Sequence, residues 1–112
     1  MDLNPVDFVK RLLPTGAAKP RRPVEITAQD QWVLKVLLRA RDRFVTQETI
    51  VEDATMERPT LIPHELVAAL FKLQMYGWVE TDGEGAYRVT KRGRKLRDII
   101  PERPGVNIDY YG

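Results

Sequence analysis

Six basic residues lie close together near the end of the chain, and their type and spacing suit a chemical role. No acidic residue separates them, and they are Arg88, Lys91, Arg92, Arg94, Lys95 and Arg97. Lysine and arginine at this density attract polyanions, and both side chains bind phosphate oxygens. We therefore predict phosphate contact by this basic segment; the alternative is a solvated charged face without a partner.

The position of Lys91 and Arg92 strengthens the first interpretation. Thr90 is a typical N-cap residue, so both side chains fall in the first turn of a predicted helix. Positive charge there opposes the helix dipole, and selection for stability alone favours acidic residues. Free backbone amides beside basic side chains form an anion site. The sequence therefore indicates that an anion is bound at this turn.

Four further residues are candidates for contact with nucleic acid. Arg21 and Arg22 belong to a basic, proline-rich stretch that can follow a minor groove as an arm. His64, the only histidine, and Lys72 fall on a predicted helix, where they can contact phosphate or a base edge. The alternatives are a soluble linker and an ordinary exposed histidine.

Phe71 and Met75 are candidates for contact with a protein partner. They fall on the outer side of the same predicted helix, and exposed aromatic residues and methionine are enriched at interfaces. The alternative is that another helix or the N-terminal segment covers them. The sequence leaves both readings open.

Acidic residues are concentrated in a different part of the chain. Between Val45 and Gly85 the basic residues are Arg58 and Lys72, whereas eight are acidic: Glu48, Glu52, Asp53, Glu57, Glu65, Glu80, Asp82 and Glu84. The net charge of +2 therefore conceals two oppositely charged regions. A polyanion would be attracted by one region and repelled by the other.

Composition excludes several classes of function. There is no cysteine and a single histidine, so disulfides, thiol catalysis and the usual zinc ligand sets are excluded. No GxxxxGK phosphate loop occurs, and no pair of carboxylates is placed beside an apolar pocket. No stretch resembles a signal peptide or a membrane span. We expect a cytoplasmic protein that is not an enzyme, has no cofactor or metal, and does not bind a membrane.

The elements that position the basic segment are predicted from caps, breakers and periodicity. We assign residues 1–25 to an N-terminal amphipathic segment and basic linker, residues 26–100 to a compact domain, and residues 101–112 to a tail. Thr27, with Asp30 in an imperfect capping box, begins the first helix, and Thr46 begins the second. Pro63 opens the third helix, and Gly77 ends it in a left-handed conformation.

After Gly77 the hydrophobic period changes from that of a helix to that of strands. Two short alternating runs flank Asp82 to Gly85, whose two glycines indicate a hairpin turn. Thr90 then caps a fourth helix that Pro101 ends, with an inner face of Gly93, Leu96, Ile99 and Ile100. The predicted fold is mainly α with a small β-hairpin.

This order of elements resembles a winged helix-turn-helix domain of the MarR and PadR kind. Three segments carry the resemblance: Thr46 to Ala54 (TQETIVEDA), Leu66 to Glu80 (LVAALFKLQMYGWVE) and Tyr87 to Leu96 (YRVTKRGRKL). They are similar to the family's second helix, its third helix leading into the wing, and its last strand followed by Thr-Lys-x-Gly and a closing helix. The resemblance implies three helices, a two-stranded wing and a closing helix, and a DNA-binding regulator that forms dimers.

The sequence departs from that family where base edges would be read. Val67 and Ala68 stand where the family usually has serine and arginine, and Glu65 adds negative charge near the start of the helix. The wing tip carries Asp82 and Glu84 instead of an arginine that would enter a minor groove. We therefore expect binding driven mainly by phosphate contacts, without direct base readout by the third helix.

Two functions follow as hypotheses. The first is a small DNA-binding regulator of transcription whose partner is double-stranded DNA. The second is a protein-interaction module that uses the acidic and apolar face of the third helix. A homodimer built from residues 3–13 and the last helix or tail is expected, because both ends have apolar faces that need a partner.

Overall fold

The computed structural model describes residues 22–111, and about half of these residues are helical. The helices are α1 (Ala28–Ala40), α2 (Gln47–Glu57), α3 (Pro63–Met75) and α4 (Lys91–Arg94), the last continuing as a 3-10 turn (Lys95–Ile99). The strands are β1 (Val24–Ile26), β2 (Val45–Thr46), β3 (Val79–Thr81), β4 (Ala86–Val89) and β5 (Ile108–Tyr110). The expectation of a helical domain with a small antiparallel sheet is confirmed at this level.

The first helices begin where the sequence predicts. The hydroxyl of Thr27 accepts the N–H of Asp30 at 3.2 Å, and the Asp30 carboxylate accepts the N–H of Thr27 at 2.9 Å, which completes a capping box. The hydroxyl of Thr46 likewise accepts the N–H of Thr49 at 3.2 Å. Pro63 is the first residue of α3, and Gly77 follows that helix with φ 77°.

The predicted hairpin forms the larger sheet together with a strand that was not predicted. β3 and β4 pair antiparallel with Val79 opposite Val89, and β2 pairs along the other edge of β4 with Val45 opposite Tyr87. The strand order is β2-β4-β3. The Asp82 to Gly85 tip joins β3 to β4, as the two glycines indicated.

A second sheet joins the two ends of the described chain. β1 and β5 pair antiparallel, with Ile26 opposite Ile108. The buried amide of Gln31 holds both ends, because its Nε2 donates to the carbonyls of Ile26 at 3.1 Å and Val106 at 2.7 Å. The tail therefore packs on its own chain, because β5 pairs with β1, which spans the predicted boundary between residues 25 and 26. The division into three segments stays a prediction.

A single apolar core lies between the three long helices and the β2-β4-β3 sheet. Its fully buried side chains are supplied by each helix and by the sheet, among them Leu34, Leu37, Ile50, Leu66, Leu70, Leu73, Val79, Val89 and Leu96. Burial of such side chains contributes about 1.5–3 kcal/mol each and is the main stabilising term. This core fixes the position of every element that carries the candidate site.

The last helix is shorter than the sequence predicts. Only Lys91–Arg94 are α-helical, and the chain tightens into a 3-10 turn from Lys95 onward. The predicted inner face is nevertheless largely correct, because Gly93 and Leu96 are buried and Ile99 and Ile100 are half-buried. Across residues 22–111, no helix has the length and apolar character needed to cross a membrane.

Candidate nucleic-acid interface

Thr90 and Gly93 fix α4 against the start of the hairpin. The Thr90 hydroxyl donates to the carbonyl of Gly77 at 2.6 Å and accepts the N–H of Gly93 at 3.0 Å. A Cβ on Gly93 would lie 2.1 Å from the carbonyl oxygen of Trp78, so only glycine fits at this approach. The Thr-Lys-Arg-Gly sequence thus has a structural role, and the side chains facing away from it are held on a rigid element.

Four basic side chains project from this element into solvent. Lys91, Arg92, Lys95 and Arg97 are exposed, and none of them forms an ion pair with another residue of the 22–111 range. The Arg92 guanidinium lies beside Gly77, about 3.1 Å from the position that a Cβ there would occupy. We call these four residues the α4 ridge.

The helix that was expected to hold an anion at its N-terminus is only one turn long, which weakens the case for that site. A single helical turn has little dipole, and the N–H of Gly93 already donates to Thr90. The N–H of Arg94 also donates, to the carbonyl of Thr90. Any anion held here would therefore depend mainly on the side chains of Lys91 and Arg92.

Arg88 and Arg94 are engaged in contacts within the fold. The Arg88 side chain pairs with Glu80 at 2.7 Å and lies 4.3 Å from the ring centre of Phe44. It also donates to the carbonyl of Asp42 at 3.3 Å, and Arg94 pairs with the Asp42 carboxylate at 2.7 Å. These two members of the predicted cluster tie the α1–β2 loop to the sheet and to α4.

That loop brings basic residues of α1 beside the end of α4. Three adjoining cavities of about 930, 420 and 280 Å³ share lining residues and form one groove along the outer face of α1. We call it the α1 groove, and its basic lining residues are Lys35, Arg39, Arg41, Arg58, Arg94, Arg97 and Arg103, against the acidic Asp42, Glu57 and Glu102. Basic residues therefore outnumber acidic ones, and the groove continues the α4 ridge.

Sequence reasoning missed most of the α1 groove. Lys35 and Arg39 are one helical turn apart on α1, a spacing that places them on the same face. Arg39, Arg41 and Arg43 also alternate in the sequence, with Asp42 the one acid among them. Arg58 and Arg103 are isolated in the sequence and reach the groove through the loop after α2 and the segment after the 3-10 turn. The helical spacing of Lys35 and Arg39 and the alternation of Arg39, Arg41 and Arg43 were the signals that were available.

Three of the groove cations are paired with acids: Lys35 lies 4.0 Å from the Glu57 carboxylate, Arg94 pairs with Asp42 as described above, and Arg39 also pairs with Glu57. Arg39 forms an ion pair with Glu57, and its second nitrogen donates to the other carboxylate oxygen at 3.0 Å. The hydrogen bond from Arg39 lowers the pKa of Glu57, and the same bond raises the pKa of Arg39. Lys35 donates to the carbonyl of Glu102 and lies 4.9 Å from the ring centre of Trp32. Among residues 22–111, Arg41 and Arg97 have no acidic partner.

Two other predicted nucleic-acid contacts, Lys72 and His64, do not join this surface. Lys72 donates to the buried Asp30 carboxylate and to the carbonyl of Glu25, both at 2.6 Å. His64 is exposed at the start of α3, and it does not line the α1 groove. Arg22 is exposed at the first described position, and Arg21 lies outside the described residues.

The outer face of α3 carries apolar side chains. Phe71 is 52% exposed and Met75 is 85% exposed, so α2 does not cover them. Tyr76, which follows α3, is also exposed, and its ring stacks on Trp78 with centres 5.2 Å apart. This face offers few groups that could form hydrogen bonds with base edges.

The hairpin tip is acidic, and one of its two carboxylates stabilises the turn. The carboxylate of Asp82 accepts the N–H groups of Glu84 at 2.7 Å and Ala86 at 3.1 Å. Glu84 itself is exposed. The tip lies at the opposite end of β4 from α4, so Asp82 and Glu84 are distant from the α4 ridge. Other acids of this region are not, since Glu80 pairs with Arg88 and Glu57 lines the α1 groove.

Metal chemistry finds no support in the described part of the chain. Between residues 22 and 111 there is no cluster of three or more His, Cys, Asp or Glu residues that could hold an ion. The α4 ridge and the α1 groove together form a surface rich in basic side chains. No protein-family model, curated protein or solved structure matches the chain.

Proposed function

We propose that this chain is a winged-helix protein that binds double-stranded DNA, as a regulator of transcription, chiefly through phosphate contacts. The order α1-β2-α2-α3-β3-β4, with a three-stranded sheet ending in a hairpin, supports the winged-helix assignment. The placement of the basic side chains supports the choice of DNA as the partner. The proposal assigns the contact to the α4 ridge and the α1 groove.

The observation that carries the proposal is the continuity of this basic surface. Arg97 is a member of both the α4 ridge and the α1 groove, so cations from two distant parts of the sequence form one surface. A duplex carries one phosphate charge per about 1.7 Å of helix axis, and a surface of several fixed cations neutralises several of these charges at once. The alternative, a solvated charged face without a partner, does not explain why cations from α1 and α4 lie on one surface.

Base readout by α3 has little support. The polar side chains among the exposed residues of α3 are His64 and Gln74, Lys72 is already held by Asp30, and the other exposed residues are Pro63, Ala68, Phe71 and Met75. Direct readout needs side chains such as Arg, Asn or Gln aimed at base edges. We therefore propose binding with weak sequence preference and strong dependence on salt.

The experiment is a fluorescence-anisotropy titration of a labelled random-sequence duplex at several salt concentrations between 50 and about 200 mM. The proposal expects the logarithm of the association constant to fall linearly with the logarithm of salt concentration, with a slope near −0.9 for each phosphate contacted. A second duplex of the same length and a different sequence should give a similar plot of association constant against salt concentration. The absence of binding at 50 mM salt contradicts the proposal.

A second candidate function rests on the exposure of Phe71 and Met75. An apolar face next to acidic residues suits a protein partner with a basic, apolar surface. This candidate predicts that the chain binds no duplex at low salt. It also predicts that Phe71→Ala and Met75→Ala weaken the partner's binding without lowering the stability of the fold.

We also propose that the chain forms a homodimer. Residues 3–13 lie outside the described residues, and β5 is paired with β1 of the same chain, so the N-terminal segment becomes the main candidate for the contact. The molar mass in solution at tens of micromolar, measured for the full chain and for a chain lacking residues 1–14, tests this. Equal monomeric masses contradict the homodimer.

A further inference from the structure

Arg41 adopts a backbone conformation that side chains other than glycine rarely adopt. Its φ is 59° and its ψ is −116°, and no other non-glycine residue in the 22–111 range has a positive φ. The N–H of Arg43 donates to the carbonyl of Ala40 at 3.1 Å, which closes a type II′ turn with Arg41 at its first central position. Glycine is strongly preferred there, so the arginine introduces strain.

Two side-chain contacts join Asp42, the next residue of the turn, to the rest of the fold. Arg88 donates to the carbonyl of Asp42, and Arg94 pairs with its carboxylate. Both bonds join the turn to elements that the core already fixes, namely β4 and α4. These two surface contacts and the Arg43–Ala40 hydrogen bond hold the turn that contains Arg41.

The turn places Arg41 at a cleft that Arg97 also lines. These two side chains line the groove's smallest cavity, of about 280 Å³, together with Arg94, Asp42, Leu38 and Val89. The charge of Asp42 is offset by Arg94, which pairs with it. Arg41 and Arg97 are exposed and have no acidic partner in the described part of the chain, so the cleft has a positive charge in excess.

We propose that the Arg41–Arg97 cleft binds a phosphate group. Two guanidinium groups present planar sets of N–H donors that match phosphate oxygens, and each can form two parallel hydrogen bonds. The strain at Arg41 then has a use, because this backbone conformation starts the Arg41 side chain at the same cleft as Arg97 before the anion arrives. The inference rests on the proposed function in taking the phosphate from a DNA backbone; a free phosphate ion is the other source with the same chemistry.

The substitution Arg41→Gly separates this role from a structural one. Glycine accepts φ 59° without strain, so the variant should unfold at a higher temperature than the wild type. Its affinity for the random-sequence duplex should nevertheless fall by about tenfold, and the salt slope should decrease in magnitude by about 0.9. If Arg41 had only a structural role, a variant with a higher melting temperature would not bind the duplex more weakly.

Arg43→Gly is the matched control, since it removes an arginine from the same turn at a residue that does not line the cleft. Its effect on duplex affinity should be much smaller than that of Arg41→Gly. Arg97→Ala should weaken binding to a similar extent as Arg41→Gly. The double variant should lose less than the product of the two single effects, because both side chains contact one phosphate.

The outcomes distinguish the cleft from the wider proposal. If the wild type binds the duplex and Arg41→Gly binds equally well, the cleft is not a phosphate site and the proposed function stands. If the wild type binds no duplex, the proposed function fails, and inorganic phosphate becomes the probe. A phosphate-dependent rise in melting temperature that Arg41→Gly abolishes then supports the cleft as a site for free phosphate, and no rise overturns it.

Discussion

The Nζ of Lys72 lies 2.6 Å from Oδ2 of Asp30, a carboxylate whose side chain is only 3% exposed. The same oxygen accepts the N–H of Thr27 at 2.9 Å, and Lys72 also donates to the carbonyl of Glu25. One lysine therefore joins α3 to the start of α1 and to β1. This placement explains why a cation predicted to contact phosphate is held within the fold.

Replacing Lys72 by methionine should lower the free energy of unfolding by about 2–3 kcal/mol, because a buried carboxylate loses its cation. Urea unfolding at neutral pH measures this loss. Adding Asp30→Asn should restore part of the stability, since the unpaired charge is then removed. Affinity for duplex DNA should not change in the single variant; a large loss of affinity with unchanged stability contradicts the structural role of Lys72.

Gly93→Ala should be among the most destabilising single substitutions in the chain. The added Cβ would lie 2.1 Å from a backbone oxygen, so α4 must move away from β3 at a cost of about 3 kcal/mol or more. Gly105→Ala is the control, because a Cβ there meets no atom within 4 Å. Thermal unfolding of both variants gives the comparison, and equal melting temperatures would show that α4 is not packed as described.

Stability should depend on pH through Glu57. Arg39 lowers the pKa of this carboxylate in the folded protein, so its contribution is present above the ordinary carboxylate pKa and is lost as the pH falls through the lower folded value. The pair is at the surface, and the contribution is less than about 1 kcal/mol. Glu57→Gln should therefore be slightly less stable at neutral pH and equal to the wild type in strong acid, as urea unfolding at both pH values will show.

The acidic hairpin tip tests the docking mode. If DNA lies along the α4 ridge and the α1 groove, Glu84→Gln leaves duplex affinity nearly unchanged, because the tip is at the other end of β4. If DNA instead contacts α3 and the hairpin, removing this charge strengthens binding several-fold. Lys91→Ala, measured in the same titration, serves as the comparison that should weaken binding.

Local signals accounted for most of the helices and the hairpin. Thr27, Thr46 and Pro63 are caps or first residues whose effect depends on a few neighbours, so their helices begin where the sequence indicates. The pairing of β1 with β5 was not predicted. These strands have three residues each and lie about 80 positions apart, and only the tertiary fold brings them together.

The candidate site was predicted only in part, for a similar reason. The run from Arg88 to Arg97 is visible in the sequence, but which of its members are free depends on partners such as Asp42 and Glu80 that come from other elements. The backbone conformation of Arg41 gives no sequence signal, since the type II′ turn that holds it normally contains glycine. Charge density was readable from the sequence, whereas pairing and strain required the structure.

The most direct test of the central claim is the salt dependence of duplex binding by a triple variant of the α4 ridge, Lys91→Ala/Lys95→Ala/Arg97→Ala. Each phosphate contact contributes about 0.9 to the slope of the log–log plot, so loss of three contacts should reduce its magnitude by about 2.7. Lys91→Arg/Lys95→Arg, which keeps the charge, should retain the wild-type slope. A triple variant whose affinity and slope equal those of the wild type would contradict phosphate binding by this surface.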